Sequence, residues 1–424
     1  MIDRTKQPHI QALMQPDMLL PEDNTLDNGI PLHLLQAGTQ EVTRLDFIFE
    51  AGLWEESKPL QAAFANAMLQ EGSENYSGAQ IAEVFDFRGA YIQFAADQHF
   101  GLISMISLNK HLPHLMPVVE DLIKRTIFQQ HEFETLVNRR RQRFLLENEK
   151  VKVLCQKKFS EVLFGKDHPY AQTVKAADFD AINKEDLLDF YKKFYHAGNC
   201  RILAAGKLDA GLKQLLNQYF GGNDWEGEKV ANQSFKLETS TEKIHRVTKK
   251  EVIQSAIRIG RLGIPKGHPD YHGLEVLNSI LGGFFSSRLM TNIREEKGYT
   301  YGIGSSLISF RDAGYFVIAT ETANSYVEDT ISEVFKELAR LRDELIPEVE
   351  LERVRKYLLG EFIRDFDGPF AQAQAFRGVN DFGLDHAFYQ DYYETVSRID
   401  AVRLQQLAQK YLQEEEFFTV VVGA

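Results

Sequence analysis

The chain holds two cysteines, Cys155 and Cys200, in 424 residues, too few for a disulfide framework or a cysteine-built metal site. It lacks an excess of positive charge: 48 Lys and Arg stand against 61 Asp and Glu, a formal net charge of −13. That excludes the basic footprint with which a nucleic-acid binder meets phosphates. No run approaches the ~18 consecutive apolar residues of a membrane-spanning helix. The opening MIDRTKQPHIQALMQPD has no basic start, apolar centre and small-residue cleavage site, so the cytoplasm is the expected compartment. What is present suffices for a large core, with 44% hydrophobic and 26% charged residues, and the length predicts roughly two to four structural units.

The order of elements repeats. Residues 44–49 (RLDFIF) read as a strand, followed by helical patterns around 60–70 and over 77–87 that stop at Gly89. Residues 91–94 and 102–108 read as paired strands joined near His99, and helices follow over 113–126 and 132–150. The second half replays this order with a strand at 256–262 and helices at 271–281 and 286–296, stopped by Gly298. A hairpin at 299–310 and 314–320 and helices at 327–342 and 347–365 complete it. Each half closes alike: a helix at 180–195 feeds a strand at 201–206, and a helix at 397–411 feeds a strand at 418–423. The pattern predicts an α+β fold of two similar domains from one duplicated unit, each a mixed or antiparallel sheet packed with helices. The boundaries fall at 1–222 and 246–424, with the polar stretch 223–245 as linker.

Two such halves, with LGGFFSSRL (281–289) running into IREEKGYTY (293–301), resemble the pitrilysin/insulinase family of inverted-motif zinc peptidases, which includes the mitochondrial processing peptidase. The resemblance covers essentially the whole chain and extends through AGLWEE (51–56) and HPY (168–170). The block from LGG to Tyr301 is its most specific part. The resemblance implies a clamshell arrangement in a dimer that encloses a peptide chamber.

The family's HxxEH motif places two zinc-binding histidines on one helical face with a general-base Glu between them, and a Glu on a later helix completes the protein ligands. Matching that motif to AFANAML puts Ala63 and Ala67 at the histidine positions and Asn66 at the base. The later helix matches NRRRQRF, with Arg143 at or beside the ligand position. Methyl groups cannot bind zinc and an arginine repels it, so the chain is expected to bind no metal or other cofactor itself. Other histidines offer weak alternatives. His268 and His272, with Glu275 nearby, have ligand-like spacing, but Pro269 makes them partly exposed helix-start residues. His111 and His114 straddle Pro113 without a carboxylate motif, and His99 belongs to a strand connection. The run Arg139, Arg140, Arg141 and Arg143 reads as a solvated helix face or an anion site.

Arg294 and Tyr301 match the family's Arg/Tyr pair residue by residue. Without the resemblance they are an exposed helix residue and a strand aromatic. With it, the Tyr hydroxyl is a donor to the oxyanion of the tetrahedral intermediate and the guanidinium holds a substrate carbonyl. Gly282, Gly283, Ser286, Ser287 and Arg288 would shape the adjacent loop. On the domain-1 edge strand, where family substrates add as a strand, Gln93 and Phe94 replace the usual Asn-Ala. The resulting expectation is a non-catalytic subunit, inactive alone, that pairs with an HxxEH-bearing homologue. Arg294 and Tyr301 would then act in trans at the zinc of that partner, on peptide substrate. The alternative is a non-enzymatic peptide-binding or scaffold protein, like the core subunits of respiratory complexes.

Overall fold

The computed structural model describes residues 15–230 and 233–423; most of the N-terminal stretch read as free of a signal, and linker positions 231–232, lie outside the described residues. The first half supplies strands β1 (Glu22–Thr25), β2 (Pro31–Gln36), β3 (Val42–Phe49), β4 (Tyr91–Ala96), β5 (Gly101–Leu108) and β6 (Cys200–Gly206). Its helices are α1 (Gln61–Met68), α2 (Gly78–Phe87), α3 (Leu112–Lys124), α4 (Gln130–Asn148), α5 (Val151–Phe164), α6 (Asp178–Ala181), α7 (Lys184–Phe194) and α8 (Leu212–Phe220). The second half supplies β7 (Ile244–Thr248), β8 (Gln254–Leu262), β9 (Thr300–Ser309), β10 (Gly314–Ala323) and β11 (Phe418–Gly423). Its helices are α9 (Tyr271–Asn278), α10 (Val327–Asp343), α11 (Glu348–Arg364), α12 (Pro369–Asn380), α13 (Ala387–Arg398) and α14 (Ala401–Tyr411).

The fold is α+β, with two mixed sheets of matching order. The first runs β1-β2-β6-β3-β5-β4 and the second β7-β11-β8-β10-β9. In each sheet a single pair is parallel, β2 with β6 and β7 with β11, and the other pairs are antiparallel. Strands β4 and β9 therefore occupy equivalent edges, each with one row of backbone groups unpaired within its sheet.

The strands are apolar on both faces because both faces are covered. In β3, Leu45, Phe47 and Phe49 join the core with α1 and α3, whereas Ile48 points to a separate cluster with Ala373 of α12. In the second sheet, Ile257, Phe316 and Val421 face one core, while Ala256, Val317 and Val420 face Val151, Cys155 and Phe159 of α5. The halves thus exchange helices: α5 covers the second sheet and α12 covers the first. Contact is close at Gly260, where an added Cβ would lie 2.7 Å from Phe159 Cζ. Burial pushes the Cys155 thiol up to about 12, as expected of a small apolar packing group. Charged contacts also cross between the halves: Arg311 pairs with Glu50 at 3.2 Å, and Arg201 pairs with Asp381. The Phe100 ring carries the Arg201 and Arg311 guanidiniums at 4.6 and 4.5 Å.

Several sequence expectations shift by local chemistry. The helix read over 180–195 is two, because Asn183 leaves the helix and caps α7 by accepting the Asp186 N–H at 2.9 Å. The helix read from 397 begins at Ala401, where Asp400 caps it, and residues 397–398 end α13. The linker stretch is pinned: Trp225 is buried, and Glu238 and Ser240 donate their N–H groups to Phe164 and Val162 at the end of α5. Among the described residues, no helix is long and apolar enough to cross a membrane.

Candidate functional site

The loop AGLWEE lies against the β4–β5 turn, with Gly52 and Trp54 donating N–H to His99 and Gln98 carbonyls at 3.1 and 2.8 Å. Gly52 is required there, since an added Cβ would sit 2.4 Å from the His99 backbone. The loop ends at Leu60, held in the left-handed region at φ +81°, and turns into α1. Glu56 folds back to accept the Ala62 N–H at 2.8 Å. Burial pushes its carboxyl up to about 7, against the pull of the Ala62 and Leu60 N–H groups.

Helix α1 is nearly all apolar and buried. Ala67 is buried and Ala63 half-buried, so the two histidine positions present only methyl groups. Asn66 is 1% exposed, and its amide donates to the Tyr195 hydroxyl at 3.0 Å. Asn66, matched in sequence to the general base, is thus engaged in holding α1 to the end of α7. Arg143 is exposed on α4, the helix that touches α1. These residues do not fit zinc, because they include neither an imidazole nor a carboxylate. Among the described residues no three His, Cys, Asp or Glu side chains converge as a metal site.

His272, His268 and His99 are engaged in structure. His272 differs from its expected exposure: it is buried, its Nδ1 lies 2.8 Å from Glu275, and Phe388 and Tyr392 of α13 cover the ring. His268 stays partly exposed and accepts the Asp270 N–H at 3.0 Å. His99 sits in the β4–β5 turn, within 2.9 Å of the Tyr170 hydroxyl, and burial lowers its pKa to about 4. On edge strand β4, Gln93 is exposed and Phe94 half-buried.

In the second half, the LGG segment forms a wide turn, Ser279–Gly283, with i→i+5 character. Gly282 permits close contact with edge strand β9, since a Cβ would meet the Ser305 N at 2.6 Å. Gly283 is exposed, with Asn278 and Ser279 beside it. Phe284 stacks on Tyr357 at 5.0 Å, leaving Phe285 and Ser286 exposed. Ser287 is buried, and Arg288 is anchored away from the loop by two 2.9 Å bonds to Glu350 of α11. The next helix is also widened over Met290–Glu296, ending at Gly298 with φ +67°. Gly298 has the left-handed conformation expected of a C′ glycine.

Arg294 lies between two aromatic rings, its Cζ 4.8 Å from the Phe285 centroid and 5.7 Å from that of Tyr301. Tyr301 is 92% exposed and Phe285 62%. Among the described residues, neither the guanidinium nor the hydroxyl has an ion-pair or hydrogen-bond partner. Stacking holds the guanidinium by its faces and leaves its N–H edge free.

Tyr301 owes its direction to an irregularity in the β9–β10 ladder. Thr300 pairs with Thr322 and Ile303 with Thr320, so Tyr301 and Gly302 together oppose Glu321. The Thr300 hydroxyl stitches this bulge, donating to the Glu321 carbonyl at 2.6 Å and accepting the Gly302 N–H at 3.1 Å. Bulges of this kind re-aim a side chain at a sheet edge. Neither Phe285 nor Thr300 was singled out from the sequence. The Thr-Tyr-Gly triplet carries the only signal, a glycine inside a strand.

Residues 181–358 match the family model described as the peptidase M16 inactive domain. Over these residues the chain is similar to the M16 peptidases, the pitrilysin group, and its sequence carries no HxxEH. An uncharacterized zinc protease of Bacillus subtilis, YmxG, is 23% identical over 346 residues, covering 81% of this chain and 83% of that protein. The peptidase M16 inactive domain from Pseudomonas fluorescens superposes with a TM-score of 0.87 at 22% identity, covering 95% of this chain and 98% of that one. A chain of complex III2 from Candida albicans has the same fold, with a TM-score of 0.74, 16% identity and 95% of each chain covered. Arg294 and Tyr301 lie beside the edge of the second sheet, while Ala63, Asn66 and Ala67 lie on α1, which touches edge strand β4 of the first.

Proposed function

We propose that the chain is the metal-free subunit of a two-chain zinc peptidase, pairing in a cytoplasmic clamshell with an M16 homologue that carries HxxEH. One observation carries this reading: Tyr301 and Arg294 stand free at a sheet edge, held ready by a bulge and two aromatic faces, while their own chain offers only Ala63, Asn66 and Ala67 at the motif positions. A side chain with no partner at home is available to a neighbour. In the pair, the Tyr301 hydroxyl donates to the oxyanion that forms at the scissile carbonyl, and the Arg294 edge holds an adjacent peptide carbonyl. Gly282 and Gly283 let the loop lie against β9, while Ser286 faces the chamber. Ser287 and the Arg288–Glu350 pair hold the loop from behind.

The test mixes the purified chain with an HxxEH homologue from the same cell and follows a fluorogenic peptide. Cleavage by the mixture and by neither chain alone is expected, and Tyr301→Phe should lower kcat by about 100-fold, the scale of one lost oxyanion donor. Full activity of the Tyr301→Phe mixture would sink the in-trans role. A second reading, a peptide-binding or scaffold subunit without peptidase activity, draws support from the likeness to the complex III2 chain. It predicts a chain that binds peptides and that no HxxEH partner converts into a peptidase.

A further inference from the structure

The two sheets match strand for strand except at one edge. In each half the closing strand, β6 or β11, is parallel to one neighbour and antiparallel to the other. Both closing strands end in glycine, and aligning those glycines makes β7 the counterpart of β2: Gln36 pairs with Gly206 as Thr248 pairs with Gly423. The next residues keep the register, since Ala37 and Lys249 donate their N–H groups to the Gly206 and Gly423 carbonyls at 2.9 and 2.7 Å. On the far side of β2 lies β1, but among the described residues no strand lies on the far side of β7. Lys243 and Lys249 bond toward β11, through the Lys243 carbonyl to the Thr419 N–H and the Lys249 N–H to Gly423. Alternation along a parallel ladder therefore turns the backbone groups of Ile244, Arg246 and Thr248 outward.

Strand β1 shows what such an edge takes. It is the acidic segment EDNT, antiparallel to β2, with Glu22 opposite Leu34 and Asp23 opposite His33. The Asp23 carboxylate lies 2.7 Å from His33 Nδ1. Counting back from the two glycines, His245 stands where His33 stands and Arg246 where Leu34 stands. A segment of the same kind beside β7 would set one carboxylate opposite His245 and another opposite Arg246. The His245 Nε2 lies 2.9 Å from the Glu242 carbonyl, which leaves Nδ1 for an incoming acid, the exposed Glu242 carboxylate being 4.0 Å away. Arg246 meets Glu328 of α10 at 2.6 Å, but both side chains are exposed, and such pairs are worth little. Lys249, paired with Glu149, and the exposed Lys250 follow at the end of the strand. Ile244 and Val247 are exposed, one on each face. A second copy of the chain fits worse: fully overlapped antiparallel β7 strands would set Arg246 opposite itself and Lys243 opposite Lys249, and like charges directly opposite are destabilising.

We infer that the outer edge of β7 docks an acidic extended segment of a partner protein, which adds antiparallel as a sixth strand with carboxylates opposite His245 and Arg246. The backbone groups of Ile244, Arg246 and Thr248 supply the ladder bonds, and the two side chains choose the sequence. An uncovered edge is a hazard that cations on the strand normally blunt; here the same cations turn away a second copy and admit an acid. The site is separate from Arg294 and Tyr301. Strands β7 and β9 are opposite ends of the second sheet, four strand spacings or ~19 Å apart. Docking is measured on this chain alone, so it can fail while the partner assay succeeds, and the reverse.

The experiment is a fluorescence-anisotropy titration of the full chain with a labelled peptide, Thr-Val-Glu-Asp-Val-Thr, whose Glu falls opposite Arg246 and whose Asp falls opposite His245. Saturable binding that weakens with salt is expected. Arg246→Glu should weaken it by about tenfold, the scale of exchanging an attractive cross-strand pair for a repulsive one. Changing the peptide's Glu to Lys should restore binding to that variant, which separates lost charge from lost folding. Backbone geometry is tested on the unaltered chain. Methylating the peptide nitrogens of Glu and the second Val, which face β7, should abolish binding, while methylating that of Asp, which faces away, should leave it. Absence of saturable binding, undiminished binding by Arg246→Glu, or equal effects of the two methylations would each overturn the inference. So would a dimer in sedimentation that Arg246→Glu dissolves, since a second copy would then occupy the edge.

Discussion

Glu56 offers the sharpest test of the physics around α1. Its carboxyl is pushed up to about 7 by burial, from an ordinary 4.5, although the Ala62 and Leu60 N–H groups at the helix start favour the charged form. Between pH 4.5 and 7 the folded protein therefore holds a proton that the unfolded chain has released. Stability contributed by this group is fully present below 4.5 and is lost as pH rises through 7. At 1.36 kcal/mol for each pH unit between the two values, the loss by pH 8 is about 3 kcal/mol. Glu56→Gln keeps an oxygen for the Ala62 N–H and has no proton to lose. The variant should be more stable than the parent by about 3 kcal/mol at pH 8 and indistinguishable from it near pH 4.5. Urea midpoints by circular dichroism at the two pH values measure this, and the difference between proteins cancels the other titrating groups. A variant less stable than the parent at pH 8 would refute the reasoning, showing that the helix-start donors outweigh burial and keep Glu56 ionised.

Two further outcomes follow from the halves' shared interior. Phe159→Ala removes the ring seated on Gly260 and should lower unfolding free energy by about 3–5 kcal/mol, read from the thermal or urea midpoint; a loss below ~1 kcal/mol would mean that α5 does not hold the second sheet. Burial lowers the His99 pKa to about 4, so its contribution to stability is present above pH 6.5 and is lost as pH falls toward 4. His99→Gln should therefore flatten the acid side of the stability profile, and an unchanged profile would assign acid sensitivity to other groups.

Much of this architecture was legible because strands and helices write their periods into the chain. β3 and β10 stood out as apolar runs, and the paired order of elements exposed the duplication. Three features were hidden for physical reasons. Helix α5 follows α4 after Glu149 and Lys150 with no Gly or Pro between them, so the break that turns the chain toward the other sheet carries no local signature. His272 looked like an exposed helix-start residue because Phe388 and Tyr392 come from α13, more than a hundred residues on. The widening at Met290–Glu296 and the bulge at Tyr301 depend on hydrogen-bond register, which residue types specify only weakly. The resemblance marked Arg294 and Tyr301, while Phe285 and Thr300, which hold them, were visible only once the strand edge and loop were placed together.

The exchange of α5 and α12 bears on why the first half, which carries no HxxEH, keeps its fold. The face of the second sheet that carries Ala256, Val317 and Val420 is buried by a helix from the first half, and the first sheet depends on Ala373 and its neighbours in return. Each half is structural material for the other. On the proposed reading, Ala63 and Ala67 stand at the expected ligand positions and Asn66 at the expected base, and packing retains the half around them. Asn66 illustrates the point, since its side chain bonds the buried Tyr195 hydroxyl. Persistence of the first half is therefore no argument for activity there. The side chains that packing does not explain are the exposed ones, Tyr301 and Phe285 flanking Arg294. Exposed groups held in place by bulges and stacking have a cost in solvation and order, and it is at those groups that a peptide or a partner has something to bind.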